Sequence, residues 1–169
     1  ELTRLVGIFA ELGIAKLRIT GGEPLLRNDL PQLLKMLTDI SGIDDLTLTT
    51  NGYLLSQFAQ QLKDGGLDRI TVSLDSLDDE VFKTMNGRGF TTQRVLEAIQ
   101  TAADVGLSPI KINCVVQKGV NDHTIVDLAR HFKGTGHIVR YIEYMDVGNR
   151  NGWRSEHVVS ADEIISRID

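Results

Sequence analysis

Five times along the chain a helical stretch ends at a glycine and runs into a short β-rich segment, and this repeat limits the fold more than any other feature. Gly13 precedes Lys16–Thr20, Gly42 precedes Leu46–Thr50, and Gly66 precedes Arg69–Asp75. Gly106 precedes Ile110–Val116, and Gly136 precedes Ile138–Met145. Glycine accepts the left-handed conformation that closes a helix. Apolar residues at helical spacing, such as Leu2, Leu5, Val6, Phe9 and Leu12, or Val95, Leu96, Ile99, Ala102 and Ala103, predict the helices between. Helix entries are read at Asn28-Asp29 before Pro31, at Asn121-Asp122, and at Ser160 with Glu163. Strands separated by helices imply parallel βαβ units. The expected fold is α/β, a partial (β/α) TIM-like barrel, as one domain over 1–169.

The strands alternate in polarity. Arg18 and Thr20, Thr47 and Thr49, Thr71, Ser73 and Asp75, Lys111 and Asn113, and Arg140 fall on one side of their strands. Parallel strands in α/β proteins are usually apolar on both faces. A half-solvated antiparallel sheet is the alternative, but the long connections disfavour it. The polar side therefore predicts a ligand-holding interior, with Arg18, Lys111 and Arg140 facing an anion such as a triphosphate.

Composition excludes several classes. A net charge of −5 over 169 residues argues against a general nucleic-acid surface. No run of apolar residues is long enough for a membrane helix. The single cysteine, Cys114, can neither close an internal disulfide nor hold an iron–sulfur cluster alone, and it is read as a core or interior residue. His123, His131, His137 and His157 lack metal-ligand spacing. Asp44-Asp45 and Asp78-Asp79-Glu80 read as solvated helix entries, and Met36 and Met85 as core. Asp75 is read as orienting Ser73, binding a substrate hydroxyl, or capping a helix. Arg27 either neutralises a phosphate or flanks a helix. Trp153 is read as covering the mouth of the barrel.

In a (β/α) barrel the site lies at the C-terminal ends of the strands. There the chain carries Gly21-Gly22-Glu23-Pro24, Thr49-Thr50-Asn51-Gly52, Ser73-Leu74-Asp75-Ser76 and Tyr144-Met145-Asp146-Val147-Gly148. Paired glycines let backbone approach a ligand, and a Glu can accept from an ammonium group. The segment from Arg18 to Arg27 resembles the Gly-Gly-Glu-Pro region of radical-SAM enzymes. Leu48–Gly52, Val72–Leu77, Met85–Arg88, Ile110–Val116, Arg140–Gly148 and Asn151–Trp153 together resemble the GTP 3′,8-cyclase family of molybdenum cofactor biosynthesis.

That resemblance implies a cytoplasmic radical-SAM lyase using S-adenosyl-L-methionine, 4Fe-4S clusters and an electron donor. A 5′-deoxyadenosyl radical would abstract a hydrogen from the ribose of GTP, which then closes onto C8 of the guanine. Gly21, Gly22 and Glu23 would bind the methionine end of the cofactor, Ser73 would touch it, and Met145 would lie against its adenosyl part. Arg18, Thr49, Lys111 and Arg140 would bind GTP. The family's cluster cysteines are not among these residues. The chain is therefore expected to be the central part of a longer barrel, without the N-terminal cluster-binding segment and the C-terminal cluster domain, and inactive alone. A homodimer stays open, as do a radical-SAM enzyme for a peptide or other small molecule, a non-catalytic nucleotide-binding barrel, and an aldolase-type barrel using Lys111.

Overall fold

The structure, a computed structural model, describes residues 1–87, 89–148 and 152–169. Arg88 and Asn151, both part of the resemblance above, lie outside the described residues. The elements run α1 (Leu2–Glu11), β1 (Lys16–Ile19), a 3-10 turn (Pro24–Leu26), α2 (Leu30–Thr38), β2 (Asp45–Thr50), α3 (Leu55–Asp64) and β3 (Arg69–Ser73). They continue with α4 (Asp79–Asn86), α5 (Thr92–Asp104), β4 (Lys111–Val116), α6 (Ile125–Phe132), β5 (Ile138–Glu143), a 3-10 turn (Ser155–His157) and α7 (Ala161–Ile168). All five expected strands are present. The glycines assigned to helix ends have positive φ, from 81° at Gly136 to 93° at Gly42. At Gly66 sterics add to conformation, since a Cβ there would sit 2.6 Å from Thr38 Cγ2.

The chain divides into two compact units. The first comprises Glu1–Val72 and Leu96–Ile110. In it β1, β2 and β3 pair in parallel, with Arg18 beside Thr47 and Thr49 beside Thr71. Leu46 and Leu48 point to the opposite face and are buried, with Ile70, Leu34, Leu55 and Leu62. Burying side chains of this size contributes about 1.5–3 kcal/mol each.

The second unit comprises Ser73–Val95 and Lys111–Asp169. Its β4 and β5 are parallel, with Asn113 opposite Arg140. Burial in β4 alternates, so Ile112, Cys114 and Val116 are buried while Lys111, Asn113 and Val115 are half-open. Phe82 meets Phe90 edge to face at 5.5 Å in the same unit. Parallel pairing rules out the antiparallel alternative, and the two-faced strands match the alternation in the sequence.

Several local expectations need correction. Asp29 occupies the N-cap of α2 without a cap bond, because its carboxylate pairs with Arg27 at 2.7 Å. Thr124, not Asn121-Asp122, is the N-cap of α6. Asp45 is not a helix entry: it opens β2 and forms a two-pronged ion pair with Arg69. Asp79 is not simply solvated, since it accepts from both the amide and hydroxyl of Thr92 at 2.7 and 2.8 Å. Met36 is exposed rather than core. Ser160 and Asp78 do cap their helices.

Candidate functional site

The first unit brings the Gly-Gly-Glu-Pro turn and the Thr-Thr-Asn-Gly turn together at the ends of β1 and β2. Gly21 has φ +147°, a conformation side chains other than glycine's rarely adopt. A Cβ on Gly21 or Gly22 would meet nothing within 4 Å, so the backbone lies open on that side. Glu23 turns inward. Its Oε1 accepts from Leu25 N at 3.1 Å and Thr50 Oγ1 at 2.7 Å, and its Oε2 accepts from Asn51 N at 2.8 Å. Thr50 Oγ1 accepts in turn from Gly52 N at 3.1 Å. A carboxylate has about four acceptor positions, so Glu23 keeps one for an ammonium group while it ties the two turns. The open glycine backbone and that remaining acceptor fit the amino-acid end of a ligand. Arg18 is exposed, and Thr49 is half-buried on the same face.

In the second unit an open cavity of about 700 Å³ lies past the ends of β4 and β5. Its walls include Asp75, Met85, Val115, Gln117, Ile142 and Met145. Met145, expected at a cofactor, lines it, and so does Met85, which is therefore a wall residue and not core. Ser73 is the last residue of β3 and is half-buried, but it is not among the residues lining the cavity. Trp153 donates from Nε1 to the carbonyl of Tyr144, another wall residue, at 3.1 Å.

Asp75 is fixed from two sides. Its Oδ1 accepts from Val115 N at 2.9 Å. Its carbonyl accepts from Asn121 Nδ2 at 2.7 Å. Asn121 is fully buried and also donates to Val115 O at 2.8 Å while accepting from Gln117 N at 2.8 Å. One side chain thus ties Asp75 to the end of β4 within the second unit. Burial pushes the Asp75 carboxyl above the usual carboxylate range, partly offset by the Val115 N–H. The helix-cap option for Asp75 falls away, because Asp78 caps α4. Asn121 carries no sequence signal that separates it from an ordinary helix start.

Lys111, Asn113 and Arg140 share one face of β4 and β5. Arg140 donates from Nε at 3.0 Å and Nη2 at 2.7 Å to the single Oδ1 of Asn113. This holds the guanidinium plane over the strands and leaves its other donors for an anion. Arg27, by contrast, is engaged by Asp29. Of the four histidines, His123 and His131 are exposed and His137 and His157 half-buried.

Cys114 faces the buried side of β4, with its Sγ 3.4 Å from the Asp75 carbonyl. Burial pushes its thiol pKa up, so it stays protonated and inert. Among the described residues no three His, Cys, Asp or Glu side chains group to hold a metal. These residues therefore do not fit a 4Fe-4S cluster. No helix among the described residues is long and apolar enough to cross a membrane.

The model of the radical SAM superfamily matches residues 1–132. The chain is 50% identical over 168 residues to the GTP 3′,8-cyclase of Acidothermus cellulolyticus, covering 99% of this chain and 46% of that protein. It is 47% identical over 169 residues to the GTP 3′,8-cyclase of Staphylococcus aureus, covering 100% of this chain and 49% of that protein. It thus spans about half the length of the curated relatives it matches. Among solved structures it resembles methylornithine synthase, with TM-score 0.77 and 16% identity over 99% of this chain and 51% of that one. Similar too is a radical SAM methyltransferase from Sphaerobacter thermophilus, with TM-score 0.71 and 18% identity over 96% of this chain and 50% of that one. Native anSMEcpe with bound AdoMet and a peptide gives TM-score 0.74 and 16% identity over 99% of this chain and 49% of that one. At these identities the structures share the fold, parallel strands alternating with helices.

Proposed function

Because the chain belongs to the radical SAM superfamily, we propose that it is the central barrel segment, 1–169, of a GTP 3′,8-cyclase. The whole protein would convert GTP to (8S)-3′,8-cyclo-7,8-dihydroguanosine 5′-triphosphate in molybdenum cofactor biosynthesis. The observation that carries this reading is about 50% identity along 99% of the chain to proteins of that name.

S-adenosylmethionine, with a reduced 4Fe-4S cluster and an electron donor, would supply the radical that opens the reaction. The residues described here would bind and orient. Gly21 and Gly22 would offer backbone to the methionyl amine, with the remaining acceptor of Glu23. Ser73 and Met145 would contact the adenosyl part. Arg18, Thr49, Lys111 and Arg140 would bind GTP, with Arg140 already oriented by Asn113. Cluster ligation is proposed for the whole protein and not for these residues. The cytoplasm is its proposed compartment.

The test uses the whole protein, reconstituted anaerobically with iron, sulfide and a reductant. Formation of 5′-deoxyadenosine should rise strongly when GTP is added. Cleavage that ignores GTP would point to another substrate, and no cleavage by a folded, cluster-loaded sample would refute the reading. In the same protein, Arg140→Ala should raise the Kd for GTP about 10-fold or more, the loss of one charge-assisted contact.

A further inference from the structure

In the second unit the segment 152–159 runs back across the end of β4 as a short strap. Val158 forms an antiparallel bridge with Gln117, and Lys118 N donates to the His157 carbonyl at 2.9 Å. At the other end of the strap Trp153 Nε1 donates at 3.1 Å to the carbonyl of Tyr144, the residue after β5. The His157 ring stands 6.4 Å from the Tyr144 ring. Gln117, Tyr144 and Met145 all wall the cavity. We propose that Trp153 is a positioning residue for that cavity: from the docked strap it holds the Tyr144 carbonyl and so sets where Tyr144 and Met145 stand against a ligand. The inference rests on the reading above for the ligand, S-adenosylmethionine.

Three observations carry this. The strap is fastened to wall residues themselves, so a shift of the indole moves the wall and not merely the surface above it. The wall segment past β5 is not fixed by burial, since Met145 is 53% exposed and Val147 72%. Its position therefore depends on hydrogen bonds such as the one from Trp153. Finally, the strap is lightly held. Its turn Ser155–His157 buries no side chain, Arg154 and Glu156 are exposed, and Val159 is its buried anchor. Segments with few buried contacts open locally at low free energy, so one hydrogen bond and one ring are enough to bias docking. By linkage, a ligand that prefers the wall of the docked state favours docking by the same factor.

The experiment uses the whole reconstituted protein and compares wild type with two variants. Trp153→Phe deletes the N–H donor and keeps an aromatic ring, and Trp153→Ala deletes both. The Kd for S-adenosylmethionine should rise about 3-fold in Trp153→Phe and about 10-fold in Trp153→Ala, the range for loss of one hydrogen bond and its packing. Binding of GTP alone and the thermal midpoint should stay at wild-type values, because the strap opens locally. Saturating S-adenosylmethionine should restore the rate of 5′-deoxyadenosine formation, so KM changes and kcat does not. In wild type the ligand should also slow hydrogen exchange at the Lys118 amide, which the docked strap covers, and in Trp153→Ala the slowing should be smaller. A Trp153→Ala protein with wild-type affinity for S-adenosylmethionine overturns the inference alone. So does equal weakening of both ligands with a lowered midpoint, the mark of a merely structural role. A wild type that binds no S-adenosylmethionine overturns the cyclase reading and this inference together.

Discussion

Glu23 accepts a hydrogen bond from the hydroxyl of buried Thr50 at 2.7 Å, which joins the turn after β1 to the turn after β2. With Asn51 N and Leu25 N on the same carboxylate, Glu23 organises both loops before any ligand arrives. Glu23→Ala should cost about 1–3 kcal/mol of stability, because Thr50 and Asn51 lose a charged acceptor. Thr50→Val should cost about 1 kcal/mol. Urea melts of both variants and the double variant should give a coupling of about 0.5 kcal/mol or more. Additive costs would mean that the pair is not energetically linked.

The two adjacent glycines should respond differently. Gly21→Ala forces a side chain into φ +147° and should cost about 1–3 kcal/mol. Gly22 has neither that conformation nor a neighbour for a new Cβ, so Gly22→Ala should leave stability within about 0.5 kcal/mol of wild type. If ligand backbone approaches here, Gly22→Ala should weaken S-adenosylmethionine binding about 10-fold at unchanged thermal stability. Unchanged affinity would move the methionine end away from this turn.

Asn121→Ala should be among the more damaging polar substitutions. It removes the amide donor shared by the carbonyls of Asp75 and Val115 and the acceptor of the Gln117 amide. The expected loss is about 2–4 kcal/mol, read from chemical denaturation. Amide exchange should also quicken at Gln117. A loss below about 1 kcal/mol would show that water replaces the side chain at little cost.

Asp75 should make stability depend on pH in a defined direction. Its folded-state pKa is raised, so the folded protein holds that proton more tightly than the unfolded chain. The resulting stabilisation is complete below the unfolded value of about 4 and is lost as pH rises through the folded value. Asp75→Asn has no proton to lose. Its stability relative to wild type should therefore be flat below about pH 4 and grow as pH rises above it. Parallel urea titrations at several pH values test this, and a difference that shrinks toward neutral pH would contradict the assigned shift.

Much of the fold was legible because its signals are local. A glycine ahead of each strand, alternating polarity along β2 and β4, and caps at Asp78 and Ser160 depend on residues a few positions apart. The readings that failed involve partners brought together by folding. Asp45 looked like a solvated acid until Arg69, 24 residues on, appeared beside it across two strands. Asn121 looked like a helix cap, yet it bonds to Asp75, 46 residues earlier.

The sequence by itself determined the alternation of strands and helices, the polar strand face with Arg18, Thr49, Lys111 and Arg140, and the strand-end motifs. Periodicity and turn chemistry are written within single elements, so no distant contact is needed to read them. Only the tertiary structure decided that Glu23 braces two turns, that Asn113 orients Arg140, and that Asp75 opens onto a cavity beside Met145. Hydrogen bonds and cavity walls depend on distances between residues far apart in the chain, and those distances exist only once parallel pairing and helix packing have set them.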